Sequence, residues 1–208
     1  MRGRLITVEG GEGAGKSSAM TAIRAAIEAR GIEVVQAREP GGTPTGEAIR
    51  AVLLDPAHRV CAETELLLMF ATRAQLVREL VLPALERGAW VLSDRFTDAS
   101  FAYQGGGRGI EGGAIAELER WAAGIKPDLT FLLDVDVRQG HARLAGRGGG
   151  RDRIERERED FFERVRGVYL QRAAAEPWRF RVIDAGAAQD TVVAAVLAAL
   201  EEAISGWS

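Results

Sequence analysis

The run Gly10-Gly11-Glu12-Gly13-Ala14-Gly15-Lys16-Ser17 satisfies the pattern G-x-x-x-x-G-K-[ST] at every position. It lies between the apolar segment Leu5-Ile6-Thr7-Val8, which reads as a buried strand, and residues 18–30, which read as a helix. Glycines in such a loop let successive backbone N–H groups converge on one point at a helix N-terminus, which makes an anion cradle. The segment from Gly10 to Ser18 is therefore expected to hold the phosphates of a nucleoside triphosphate. Lys16 would reach the β- and γ-phosphates, and the Ser17 hydroxyl would ligate Mg2+.

Apolar runs of strand length alternate with longer helical patterns through the rest of the chain, which argues for a parallel sheet with crossover helices. Strands are expected near 4–9, 32–37, 89–93, 129–135 and 180–184. Helices are expected near 16–30, 44–54, 63–87, 112–123, 137–146, 155–175 and 188–204. The 208 residues suit one domain, 1–208, with no linker to mark a second. One segment breaks the pattern. Residues 143–155 interleave Arg143, Arg147, Arg151 and Arg153 with four glycines, a composition that cannot pack a core and reads as a mobile lid closing over phosphates. The alternating charges of 152–163 read mostly as the solvated face of the helix that follows.

Composition excludes several classes. A net charge of −3 and the lack of a basic, aromatic-laced stripe argue against nucleic acid as a partner and against a nucleic-acid-stimulated ATPase. The guanine-reading Asn-Lys-x-Asp motif of GTP switches cannot exist, because the chain contains no asparagine. No apolar run approaches the length of a membrane span. The single cysteine, Cys61, and the absence of a secretion signal point to a reducing, cytoplasmic setting. His58 and His141 are isolated and read as surface residues rather than metal ligands. Trp90, Trp121 and Trp178 read as core or interface residues.

Four clusters point to a second phosphate-bearing substrate. Val91-Leu92-Ser93-Asp94-Arg95 is a strand ending in an acid and an arginine, at the edge where ligands bind in open parallel sheets. Asp94 can hold Mg2+ there, and Arg95 can reach an acceptor phosphate. Arg38-Glu39-Pro40-Gly41-Gly42-Thr43 places another arginine at a strand end. Phe70 and Arg73, three apart on a helix, share a face that could stack a base and bond its edge. Finally, the segment from Ser100 to Gly109, with Tyr103 and Gln104, combines polar groups, an aromatic ring and a glycine-rich turn that would wall the acceptor site.

Together these segments resemble the bacterial thymidylate kinases, with similarity along nearly the whole chain: the phosphate loop, Arg38-Glu-Pro-Gly-Gly-Thr43, Asp94-Arg95, Tyr103-Gln-Gly-Gly-Gly-Arg-Gly109 and Asp152-Arg153-Ile154-Glu155. The resemblance implies a P-loop NTPase-type, doubly wound, five-stranded parallel α/β sheet flanked by helices. It implies transfer of the ATP γ-phosphoryl to dTMP, giving dTDP, with Mg2+, in a homodimer. Carried over by position, Arg38 and Arg95 would take the dTMP phosphate, Arg73 and Ser100 the thymine, with Gln104 beside them. Glu12 would contact the acceptor sugar, and Tyr103 would crowd its 2′ carbon, disfavouring ribonucleotides.

Two positions depart from the family pattern. The stacking aromatic often stands four residues before the thymine-reading arginine, where this chain has Met69, and Ala99 replaces a small hydroxyl residue. Because the phosphate loop carries Glu12 and no arginine, the chain resembles the type whose catalytic arginine resides in the lid.

Phosphoryl transfer needs positioning and charge neutralisation more than covalent chemistry. Catalysis is accordingly expected from Lys16, Arg95 and a lid arginine, Arg151 or Arg153 ahead of Arg147. The residues Asp184-Ala185-Gly186 are a candidate to approach the adenine. The alternative that remains open is another small P-loop kinase acting on a different monophosphate or nucleoside.

Overall fold

The computed structural model describes residues 2–145 and 152–207. Arg147 and Arg151 of the expected lid lie outside the described residues.

Five parallel strands form one sheet in the order β2-β3-β1-β4-β5: β1 (Leu5–Gly10), β2 (Val34–Arg38), β3 (Trp90–Asp94), β4 (Leu129–Asp134) and β5 (Phe180–Asp184). All five expected strands are present. The central strand β1 is buried at every residue, so its side chains alternate into two apolar layers. Ile6 and Val8 face α1 (Lys16–Glu28) and α9 (Gln189–Gly206), packing with Ile23, Ile27, Val196 and Leu200. Leu5 faces the other way, with Leu76, Val81, Leu85 and Phe96. The order of the strands reverses at β1, between β3 and β4, and the loop after β1 opens at this switch point.

The other helices are α2 (Pro44–Leu54), α3 (Ala62–Leu76), α4 (Leu82–Glu86), α5 (Thr97–Ser100), α6 (Gly112–Leu118), α7 (Val137–Ala145) and α8 (Glu159–Ala175). The long helix expected over 63–87 is present as α3 and α4 joined by a π-helical stretch, Val77–Val81. Pro83 lies at the start of α4, after that wide turn.

The segment expected to be a glycine-rich turn is different. Residues 97–107 are helical: α5 continues into a π-helical stretch, Phe101–Gly107. Its glycines are there for contact. A Cβ on Gly106 would lie 2.9 Å from the Arg164 carbonyl oxygen and 2.7 Å from Val168, and one on Gly107 would strike the Phe161 ring. The absence of side chains lets α8 press directly on this helix. Asp98 fastens the same helix from below, its buried carboxylate accepting hydrogen bonds from Arg172 at 2.8 Å and from Arg179 at 2.7 and 2.9 Å.

Two further expectations change. Trp121 and Trp178 are 74% and 71% exposed, so neither packs the core of the chain, whereas Trp90 packs edge-on against Trp207. The charged run 152–163 is only partly a solvated face. The helix begins at Glu159, and residues 152–155 turn inward, with Asp152 accepting from the backbone N–H groups of Ile154 and Glu155 at 2.8 Å each.

Candidate functional site

The strand ends and helix starts at the switch point build the site. β1 ends at Gly10 and α1 begins at Lys16, capped by Gly15. Gly10, Gly13 and Gly15 have φ of 138°, 71° and 89°, values that residues with a side chain rarely adopt. Gly13 also abuts the backbone of Gly140 on α7, where a Cβ on either residue would collide with its neighbour. The loop is thus clamped from outside by α7. Lys16 folds back over it, its ammonium donating to the Gly10 and Gly11 carbonyls at 3.3 Å each. Burial, and then Arg95, hold this ammonium below its ordinary pKa.

Arg38 and Asp94 end β2 and β3 in direct register. Together with Glu12, Lys16, Arg95, Tyr103 and Gln104 they line one cleft of about 240 Å³. Arg95 has a left-handed backbone, φ 69°, stabilised by its N–H bonding Val8 O at 3.0 Å and its carbonyl accepting from Ser93 Oγ at 2.7 Å. Its guanidinium donates to Gly10 O at 3.1 Å and to Glu12 Oε1 at 2.7 Å, and lies over the Tyr103 ring. Tyr103 donates to the same Glu12 oxygen at 3.0 Å. Burial works against ionisation of Glu12, yet Arg95 and Lys16 keep its carboxyl below the ordinary value. A cation, a carboxylate and an aromatic ring therefore meet where the phosphate loop borders the cleft.

The base-reading cluster divides into a surface and a support. Arg73 is fully buried: it ion-pairs with Glu39 at 2.6 Å, donates to Ser100 Oγ at 2.9 Å and Phe96 O at 3.0 Å, and stacks over Phe70 at 4.5 Å. Phe70 packs with Leu66, Ile115 and Ala122, and the side chain on the cleft wall is Met69, beside Ala99 and Gln104. Gln104 Nε2 donates to the buried Glu65 at 2.9 Å, while its Oε1 is buried without a hydrogen-bond partner among the described residues.

Arg153, expected among the catalytic arginines, is tethered on the side of α2 and α3. Its guanidinium donates to Leu53 O at 2.7 Å and pairs with Glu65 at 2.7 Å, and its N–H bonds Leu54 O. These bonds hold it to the end of α2 and to α3. The bonds that pin it come from residues about ninety or more positions away, which charge pattern alone could not reveal.

One cleft residue, Arg50, carries no motif signal. Arg50 on α2 lines the cleft and donates to Pro40 O at 2.7 Å, and Asp152 and Glu155 line the same cleft. The spacing of Arg50 from Glu47, three residues on one helix, was the available hint. Glu47 itself holds the turn, accepting from Gly42 N at 2.7 Å and from Arg38 at 2.9 Å.

On the other side of the phosphate loop, Gly13, Gly15, Ser18, Arg143, Ala187 and Gln189 line a second hollow. Arg143 donates to the carbonyls of Ala185, Gly186 and Ala187 at 2.7, 3.2 and 3.3 Å, holding the turn after β5 beside the loop. The candidate Asp184-Ala185-Gly186 turn thus borders this second hollow. His141, expected at the surface, lies half-buried and edge-on to Phe162. No group of three or more metal-binding side chains occurs among the described residues. The donor set suits Mg2+ held mostly by phosphate oxygens: the Ser17 hydroxyl stands exposed at the start of α1, and Asp94 Oδ1 is buried with no hydrogen-bond partner among the described residues.

Two hollows meeting at one phosphate loop are the geometry of a kinase with two nucleotide substrates, and residues 8–196 match the thymidylate kinase family. The chain belongs to the thymidylate kinase family. It is 54% identical to a thymidylate kinase of Chromohalobacter salexigens over 99% of both chains. It is 52% identical to one of Alkalilimnicola ehrlichii, covering 99% of this chain and 96% of that one. The crystal structure of thymidylate kinase from Ehrlichia chaffeensis superposes with a TM-score of 0.79 at 30% identity, covering 97% of this chain and all of the other. The five-stranded parallel sheet flanked by helices is the family's fold.

Proposed function

We propose that the cleft of Arg38, Arg95 and Tyr103 takes dTMP, that ATP lies across the phosphate loop with its base toward the Arg143 hollow, and that the two phosphate chains meet at Arg95. The reaction is the family's: transfer of the γ-phosphoryl of ATP to dTMP, giving dTDP. The observation that carries the site assignment is Arg95, whose guanidinium bridges the phosphate-loop carbonyl of Gly10 and the cleft carboxylate of Glu12.

Lys16 and the loop N–H groups neutralise the donor phosphates, and Arg38 and Arg95 hold the acceptor phosphate. The acceptor oxygen is already anionic at neutral pH, so the residues need to overcome repulsion rather than remove a proton. Glu12 and Tyr103 face the sugar, where the Tyr103 ring leaves no room for a 2′-hydroxyl. Arg73, locked by Glu39 and Ser100, presents a fixed cation behind the thymine, and Met69 and Gln104 form the wall it lies against. Mg2+ bound through Ser17 and Asp94 would neutralise charge on the donor phosphates. The lid cation is Arg151 or Arg153, ahead of Arg147.

We place the family's dimer contact on α3, whose outward stripe includes Leu67, 57% exposed, and which packs against the π-helical stretch Glu119–Ala123 that carries the exposed Trp121. Sedimentation of the parent and of Leu67→Asp tests it: two copies are expected for the first, one for the second. No helix among the described residues is long and apolar enough to cross a membrane, and the ATP requirement fits a cytoplasmic setting.

A panel of nucleoside monophosphates offered with MgATP tests the substrate reading, and strong preference for dTMP is expected. Arg95→Ala should lower turnover by about 10³-fold or more, within the range of positioned arginines in phosphoryl transfer. Parental turnover of that variant would remove Arg95 from the mechanism.

A further inference from the structure

Among the fully buried acids that the mechanism leaves unused, Glu9 lies nearest the phosphate loop in sequence. Glu9 precedes the phosphate loop on β1, and each of its carboxyl oxygens has a partner on the opposite side of the site. Oε1 accepts from the backbone N–H of Phe96 at 2.7 Å, and Oε2 accepts from the Tyr169 hydroxyl at 2.7 Å. Tyr169, on α8 and buried, accepts in turn from Arg95 Nη1 at 3.2 Å. One carboxyl group therefore grips Arg95 twice, through the peptide that follows it and through its guanidinium.

This double grip answers a structural need. Arg95 is the only residue other than glycine with positive φ among the described residues, a conformation that costs about 1 kcal/mol or more and persists only where its surroundings impose it. A long arginine side chain also has rotamer freedom that must be removed before it can stand at a fixed point between two phosphates. Nη1 donates to the Gly10 carbonyl and to the Tyr169 hydroxyl, Nη2 donates to Glu12, and the Tyr103 ring covers the face of the guanidinium. We propose that Glu9 and Tyr169 are positioning residues for the transfer step, acting through Arg95 by fixing both its backbone turn and its guanidinium. Burial pushes the Glu9 carboxyl up to about 8.

The inference rests on the reading that Arg95 acts on the phosphates, and the experiment separates the two. Tyr169→Phe keeps the ring and its edge-on packing with Tyr103 while deleting both hydroxyl contacts. Its kcat is expected to fall about tenfold, the effect of one lost bond to a charged group, with KM for ATP within about twofold of the parent because Lys16 and the loop are untouched. In an Arg95→Ala background the same substitution should change kcat by less than about twofold, since there is no guanidinium left to position. A purely structural role would lower kcat equally in both backgrounds, and that result overturns the proposal, as does parental kcat for Tyr169→Phe. Should Tyr169→Phe not fold, Glu9→Leu, similar in volume, is measured in the same pair of backgrounds with the same expectations. Parental turnover by Arg95→Ala alone would instead sink the underlying reading of Arg95.

Discussion

Arg73 and Glu39 form an ion pair at 2.6 Å with both side chains fully buried. Burial pushes the Glu39 carboxyl upward even though Arg73 opposes the shift. Such a pair adds little net stability, because desolvation offsets attraction, yet removing one partner strands a buried charge. Its use here is orientation: with Ser100 and the Phe96 carbonyl it fixes the Arg73 guanidinium in one place.

Glu39→Ala is therefore expected to destabilise the chain by ~3–5 kcal/mol, the cost of an uncompensated buried charge. Urea unfolding should show the loss as a lower midpoint, and KM for dTMP should rise while KM for ATP holds. A variant with unchanged stability would mean that Arg73 finds another acceptor.

Gly140 lies outside the phosphate-loop motif but touches it, since a Cβ there would collide with the Glu12 carbonyl oxygen. Gly140→Ala must displace either α7 or the loop. Overpacking of this kind costs ~1–3 kcal/mol, and a loop moved by a fraction of an ångström should lose about tenfold in kcat/KM for ATP. Steady-state kinetics with unaltered values would show that the loop and α7 separate freely.

Gly107→Ala tests whether the glycine run serves helix contact rather than a turn. Its methyl would enter the Phe161 ring. The expected loss is ~1–3 kcal/mol, lowering Tm by roughly 2–4 °C for each kcal/mol in a chain of this size. If residues 105–107 were instead a solvated turn, Tm would not move.

Glu65 gives a pH prediction. Burial opposes its ionisation, but hydrogen bonds from Gln104 and Arg108, with Arg153 beyond them, hold the carboxyl below its ordinary 4.5. A depressed folded value means that the unfolded chain binds the proton more readily. The stabilising contribution is thus complete above about 4.5 and is lost as pH falls through the folded value. Glu65→Gln should flatten the fall in urea midpoint below pH 4.5 and free the lid stem by weakening the hold on Arg153. An acid limb as steep as the parent's would assign the effect to other carboxylates.

The fold was largely legible from the chain because its signals are local. β1 opens on the mostly apolar stretch Leu5-Ile6-Thr7-Val8, the loop after it matches at every position, and periodicity places each remaining strand. Motif residues at strand ends, Arg38, Asp94 and Arg95, also had to share one edge once the sheet was parallel.

Other decisions needed contacts between distant segments. The run Gly105-Gly106-Gly107 carries the composition of a turn, and only the approach of α8 makes it helical. Phe70 stands at stacking distance from Arg73 in sequence, yet helical rotation buries it and turns Met69 to the cleft. Arg153 belongs to a lid by composition, and Glu65 and the Leu53 carbonyl hold its guanidinium. Glu9 and Tyr169, 160 residues apart, carry no pattern at all. Propensity and motif spacing are properties of neighbours along the chain, so they settled the sheet, the phosphate loop and the family. Which charged side chain faces a substrate and which is spent holding another in place depends on burial and pairing across the fold, and those exist only after folding.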